Sequence, residues 1–475
     1  MAMIIARKKV VGIAKPSMAI CIVLVPCFLL VLSAWSQEAS ASFPKFDWSR
    51  SLPVDSQSPA IGELGGTETR SLVSMGGKIY AGICYWKDYD YKSPLLPGAQ
   101  VLVLDSSQSE WRVDLELDQR LADGLRKYMA ISALNAVTFE TDMNGKAIAP
   151  TAMLFAGVWT REQRGGTEIF YRTEASRWRD TVVATSNRPP QPARSFCLYR
   201  DKITGVDRVF VGTTVPDGDQ PGGIYSGAFD SEHRAIVWNP TPEPWQYHPD
   251  TSATDVKIRV TSFAECNSKL YAAAYDSIYA RQDGTSPFWV RVFQHTMATA
   301  NVQWGTGFRG LTAISDSPAN GEVLLVAQEA NPLLILKIDP LAGFSFQIDL
   351  NVSQFLSQQL DEAVGYGIGA YNNMAEYNGG LLIGLHFHVK GNKAGLWYGL
   401  DPRAFFLIRG SDGRYELQQV IDTSLHPSPL MVATRSLLPS PFPDDPNGTL
   451  YASGFDTLVP VHNTAWIYRG VPTSK

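Results

Sequence analysis

Hydrophobic positions along this chain fall into short runs separated by turn residues, and one run recurs: aliphatic, then aromatic or aliphatic, then two small or aliphatic residues. It reads Ile79-Tyr80-Ala81-Gly82, Leu154-Phe155-Ala156-Gly157, Val209-Phe210-Val211-Gly212 and Leu270-Tyr271-Ala272-Ala273, then Leu324-Leu325-Val326-Ala327, Leu381-Leu382-Ile383-Gly384 and Leu450-Tyr451-Ala452-Ser453. The copies stand about 62 residues apart on average, room for four strands and their loops. Each copy is followed by a second run rich in β-branched and aromatic residues, starting at Gln100, Glu168, Gly223, Ser277, Leu333, Gly395 and Ala465. These read as strands rather than helices. A turn then leads to an aromatic residue, Trp111, Trp178, Trp238, Trp289, Phe344 or Phe346, and Tyr415, suited to packing between neighbouring sheets.

The seventh copy ends before its aromatic strand, and Phe46-Asp47-Trp48 supplies an orphan one ahead of the first copy. The pattern therefore predicts an all-β fold: a seven-bladed β-propeller of four-stranded antiparallel blades, closed by an N-terminal strand that completes the last blade. Closure of that kind removes exposed sheet edges. Six or eight blades remain as alternative counts. Asp118 to Met129 and Ser353 to Val364 read as short helices between blades.

The N-terminus changes the picture. Arg7, Lys8, Lys9 and Lys15 precede an apolar run from Met18 to Leu32, followed by small residues at Ala39, Ser40 and Ala41. This order predicts a secretory signal peptide over 1–41, cleaved after Ala41 or, alternatively, after Ser36, with an uncleaved anchor as the competing reading. Residues 42–475 then form a single propeller domain, secreted or periplasmic, with no further membrane span. The three cysteines left, Cys84, Cys197 and Cys266, lie in apolar strands and read as buried free thiols. A net charge of −5 with 18% charged residues gives no field suited to nucleic acid, and a monomer is expected.

In the first blade, GGKIYAG from Gly76 and VLVLDSSQSEW from Val101 to Trp111 give the order strand, strand, Asp-turn-Trp, which Asp283 to Trp289 repeats. By these segments the chain resembles the kelch family of propellers. The resemblance implies the architecture and no activity, since one fold hosts many functions.

Loops entering the innermost strands of a propeller open on one face of the axial funnel, the default ligand site. Arg70, Thr261, Arg309 and Asn372 fall near the start of those strands, and Arg194, Arg259 and Arg435 begin or precede similar segments. Five guanidinium groups ringing a funnel would select a carboxylate, sulfate or phosphate. The competing reading makes a recurring arginine structural, a cap on carbonyls of the neighbouring blade. Loop residues that do not recur are candidates for chemistry: Tyr85 and Trp86 in the first blade, Trp159, Arg161 and Arg164 in the second, His386 and His388 in the sixth, and His462 in the seventh. His386 and His388 share one face of an extended strand and suit a metal or a base and acid pair. No nucleophile elbow, phosphate loop, zinc helix, calcium loop or repeated Asp-box appears, and the sequence leaves the cofactor unknown.

Two functions follow. One is a lyase or hydrolase of an anionic carbohydrate, in which Arg194 or Arg309 neutralises a uronate carboxylate while His386, His388 or Tyr85 moves protons. The other is a non-catalytic scaffold binding a glycan or a protein. Redox chemistry with copper or a quinone lacks a suitable Tyr/His/Cys set.

Overall fold

The structure is a computed structural model. It describes residues 43–475 except 53–56, 59–61, 64–65, 86–97, 163–164, 184–191, 215–222, 247–258, 296–306, 318–320, 372, 390–402, 425–430, 456–464 and 474–475. Each recurring apolar run lies on the second strand of an antiparallel ladder, because it is buried on both faces and needs sheet on either side. In the first ladder the strands are Glu68–Met75, Lys78–Cys84, Ala99–Leu104 and Arg112–Leu117. The second runs Tyr128–Thr141, Ala147–Thr160, Glu168–Thr173, Arg179–Val182, and the third Ala193–Arg200, Asp207–Thr213, Ile224–Asp230, Ala235–Trp238. Val260–Cys266, Lys269–Ala274, Ser277–Gln282 and Phe288–Gln294 make the fourth, and Phe308–Ser317, Gly321–Ala330, Leu334–Asp339 and Ser345–Asn351 the fifth. The sixth comprises Val364–Gly369, Gly380–Val389, Ala404–Arg409 and Tyr415–Val420.

Ala433–Pro439, Leu450–Phe455 and Ala465–Pro472 form the last ladder, and Phe46–Arg50 pairs with its third strand, Trp48 opposite Gly470. First strands of the first five ladders lie side by side in order, Val364–Gly369 pairs with the end of Gly321–Ala330, and Ala433–Pro439 packs on Gly380–Val389 and returns to Glu68–Met75. This is an all-β arrangement of the propeller type. Serine and threonine hydroxyls stitch the inner strands together: Ser132 Oγ donates to the Ala193 carbonyl (2.6 Å), Thr261 Oγ1 donates to that of Phe308 (2.7 Å), and Ser436 Oγ accepts from Leu72 N (3.1 Å).

The small residue ending each recurring run has a steric cause. A Cβ on Gly157 would sit 2.3 Å from Ala193 Cβ, and one on Gly212 2.6 Å from Val260, each on the inner strand of the following ladder. Close packing of sheet on sheet excludes anything larger.

The aromatic residues also join neighbours, but as part of a clamp that the sequence pattern did not show. Arg172 and Trp178 both donate to Asp114 of the preceding ladder, at 2.6 and 2.8 Å. Arg409 and Tyr415 do the same to Asp349, and Arg281 and Trp289 to Glu243 at 3.0 and 2.9 Å.

Two expectations are corrected. Residues 118–129 form no helix. Asp123 and Gly124, with φ +84°, make a turn that brings Arg120 against Arg126, because Asp-Gly favours reversal over continued helix. The helix expected over 353–364 spans Val352–Leu360, capped by Asn351, whose side chain accepts from Gln354 N, and stopped by left-handed Asp361. In the sixth ladder the third strand is Ala404–Arg409, whereas the GLWYGL segment from Gly395 lies outside the described residues. Among the described residues Cys84, Cys197 and Cys266 are free thiols, Cys84 and Cys266 buried as expected and Cys197 half-buried. Among the described residues no helix is long and apolar enough to cross a membrane.

Candidate functional site

A β-bulge recurs near the start of the inner strands. Arg70 is skipped in the ladder between Thr69 and Ser71, Arg194 between Ala193 and Ser195, and Arg435 between Thr434 and Ser436. Ser132 and Thr261 hold this position in the second and fourth ladders, and Arg309 immediately precedes the corresponding bulge in the fifth. A bulge turns its extra residue out of the pleat, which re-aims the side chain. In the first, fifth and seventh ladders the arginine stands over the ring of Tyr371, and in the third Arg194 lines a cavity together with Ser71, Leu134, Ser262, Leu311 and Ser436 from the inner strands. Arg259, one residue before its strand, joins them.

The five arginines are not equivalent. Arg70, Arg309 and Arg435 are buried and paired: Glu68 accepts from Arg70 Nη2 at 3.1 Å and from Arg435 Nε at 2.5 Å, and Glu329 accepts from Arg309 Nε at 2.7 Å. Tyr366 donates to the other Glu329 oxygen at 2.5 Å. Burial works against the Glu329 charge, but Arg309 and Arg259 hold this carboxyl below its ordinary value. Arg194 and Arg259 are half-buried and form no ion pair among the described residues. Burial, then Arg259, Arg70 and Arg309, pull Arg194 down to about 9, still charged at neutral pH. Burial and Arg309 lower Arg259 as well, against the pull of Glu329. Trp159, also half-buried, has its ring centre 5.9 Å from the Arg194 guanidinium.

His386 and His388 do share a face, their rings 6.3 Å apart and nearly parallel. Arg435 Nη1 lies 3.0 Å from His386 Nδ1, and a guanidinium can only donate, so this nitrogen is the acceptor. Burial lowers His388, whose ring meets Tyr366 edge to face. Among the described residues no group of three potential metal ligands occurs. Tyr85 is not brought to the arginines as a surface group: it is 2% exposed, packed in the core with Ile83, Leu102 and Trp111, its hydroxyl 3.4 Å from Gln100 Oε1. A buried phenol of that kind fills volume rather than meeting a ligand. Trp86, Asn372, Arg164 and His462 lie outside the described residues.

Three residues of the site escaped the sequence reading. Glu68 and Glu329 set the charge balance, and only the Glu68-x-Arg70 spacing, which puts both on one strand face, hinted at either. Tyr371, adjacent to the expected Asn372, stands beneath three of the guanidinium groups.

No protein-family model matches this sequence, and no curated protein matches it. Among solved structures the chain is similar to the extracellular domain of a putative one-component system from B. thetaiotaomicron, at 11% identity and a TM-score of 0.47, covering 90% of this chain and 40% of that one. It is also similar to the Dos1 propeller (11%, 0.45, covering 90% and 95%) and to the Penicillium chrysogenum α-L-arabinanase (9%, 0.39, covering 90% and 98%). The chain spans less than half the length of the first of these. At such scores the likenesses say nothing about ligand or reaction, and the chemistry rests on the site's own residues.

Proposed function

We propose that this chain is an exported seven-bladed propeller, residues 42–475 after loss of a signal peptide, that recognises an anionic carbohydrate on its axis. The ladders described above are its blades, Phe46–Arg50 closes the last of them, and the Asp-turn-Trp segments support a kelch-type repeat. One chain encloses the whole ring, so a monomer suffices.

The observation that carries this reading is the charge balance. Among the described residues five guanidinium groups converge with two carboxylates, and the two arginines that meet neither, Arg194 and Arg259, are the ones that remain partly open. Arginine offers a planar fork matched to carboxylate, sulfate or phosphate. The Trp159 face beside Arg194 favours a ligand with an apolar ring surface as well as a charge, which describes an acidic sugar better than a bare ion.

The test is calorimetric titration with oligogalacturonate and heparin oligosaccharides against neutral malto-oligosaccharides. Binding of the acidic series, weakened about 10- to 100-fold in Arg194→Gln, is the expected result, since a hydrogen bond to a charged group is worth about 1.5–3 kcal/mol. Equal binding of neutral and acidic series would remove the reading.

A further inference from the structure

Among the described residues the axial centre holds more positive charge than one bound carboxylate needs, and a phenol sits inside that surplus. Tyr371 follows the inner strand of the sixth ladder and is 9% exposed. The guanidinium carbons of Arg435, Arg309 and Arg70, from three different ladders, lie 3.9, 4.8 and 5.5 Å from its ring centre. Its carbonyl accepts from Arg309 Nη1 at 3.4 Å. Burial works to raise the phenol. The charges of Arg70, Arg435 and Arg194 outweigh both burial and Glu68 and hold it below the ordinary tyrosine value.

Other groups in the centre are less suited to take a proton. Tyr366 is committed to Glu329 and pushed upward, first by burial and then by that carboxylate. Burial pushes the Cys84 thiol up to about 12. His386 has its Nδ1 lone pair engaged by Arg435.

We propose that Tyr371 is the proton-accepting catalytic residue of this centre, acting on the carbon next to a uronate carboxylate docked on Arg194 and Arg259. This rests on the anionic-carbohydrate reading and adds a reaction to it. Removing that proton moves a second negative charge onto the carboxylate, so the transition state carries more charge than the bound substrate. A site with surplus fixed cations stabilises the former over the latter. The phenolate oxygen takes the proton, and the C–H electron pair becomes a carbon–carbon double bond. The adjacent C–O bond to the next sugar breaks with its pair on the departing oxygen, which gains a proton from solvent. Tyr371 then returns its own proton to water, and no oxidant or cofactor enters the balance.

The full chain and its Tyr371→Phe variant are incubated with polygalacturonate, alginate and heparan sulfate. Ultraviolet absorbance reports unsaturated ends, and calorimetry reports binding. Wild type is expected to produce such ends on a polymer it binds, at a rate that rises with pH as the phenol ionises. The variant keeps the ring beneath the guanidinium groups, so it should bind within about threefold of wild type while turnover falls at least ~100-fold, the lower range for general base catalysis. Wild type that binds these polymers but leaves them uncut, or a variant that turns over within tenfold of wild type, overturns the role of Tyr371 and leaves the binding reading standing. Failure of wild type to bind any acidic polymer defeats the binding reading itself. Should the variant not fold, a wild-type rate flat across the phenol titration overturns the proposal instead.

Discussion

Arginine has two different surroundings at the rim of this molecule and on its axis. Rim arginines Arg172, Arg281 and Arg409 each stand on a third strand and meet a carboxylate of the preceding ladder, with an aromatic donor beside them. Arg281 goes furthest, buried at 1% exposure among Glu243, Asp201 and Asp283. Axial arginines also recur, yet among the described residues only three of the five are paired, Arg70 and Arg435 with Glu68 and Arg309 with Glu329. Recurrence therefore does not separate a structural cation from a ligand-binding one. Local charge balance does: where every cation has its acid the group holds neighbouring ladders together, and where cations exceed acids there is charge to spare for the anion we propose as ligand.

The largest effect should come from breaking a rim clamp. Arg281→Met leaves three carboxylates without their common cation in a buried place, and a loss of about 3–5 kcal/mol is expected from denaturant unfolding, with anion binding intact in the folded fraction. A loss below about 1 kcal/mol would erase the distinction between rim and axis. The same clamp has a pH signature. Burial works against the Asp201 charge, but the Arg281 hydrogen bond and the Thr204 and Gly284 amides hold this carboxyl at about 2. A depressed carboxyl contributes stability that is whole above the ordinary aspartate value of about 3.9 and is lost as pH falls through the folded value. Acid sensitivity in the window between them should shrink in the variant.

Much of the architecture was legible because its causes are local. A doubly buried second strand needs an unbroken apolar run, and contact with the next ladder needs the small residue that Gly157 and Gly212 provide. Axial arginines were legible for a related reason, since each stands 9 to 15 residues before that run, near the start of the inner strand that pairs with it. The clamps and the acids were not. Asp114 is 58 residues from Arg172, and Glu68 is 367 from Arg435, so nothing in a local pattern couples them. Tyr371 lies past the end of its inner strand, where no periodicity applies, and Tyr85 looked like a loop aromatic until packing placed it in the core.

A smaller effect with two opposite signs is expected on the axis. Glu68→Gln removes one of the two central acids and leaves Arg70 and Arg435 less compensated. Unfolding should show a loss of about 2–3 kcal/mol, as for a charged hydrogen-bond partner. Affinity for oligogalacturonate should rise, because the surplus grows by one charge, and saturating ligand should restore part of the melting temperature. A variant that is destabilised but binds the anion no better would show that Glu68 balances its arginines as completely as the rim acids do.

The smallest effect isolates the aromatic arm of a clamp. Trp289 is fully buried, packs edge to face on Phe210 at 6.3 Å, and donates from Nε1 to Glu243. Trp48 holds the matching place on the last ladder and packs edge to face on Phe406 at 5.9 Å, but among the described residues its indole nitrogen meets no carboxylate. Changing either to Phe shrinks a buried ring by a similar volume, so the cavity terms nearly cancel in the difference between them. What remains is the indole bond to a charged acceptor, worth about 1.5–3 kcal/mol at most and less where Arg281 still holds the carboxylate. Trp289→Phe should therefore be the more destabilising by about 1 kcal/mol in denaturant unfolding. Equal losses would mean that the arginine alone closes the clamp and the aromatic residue only fills space.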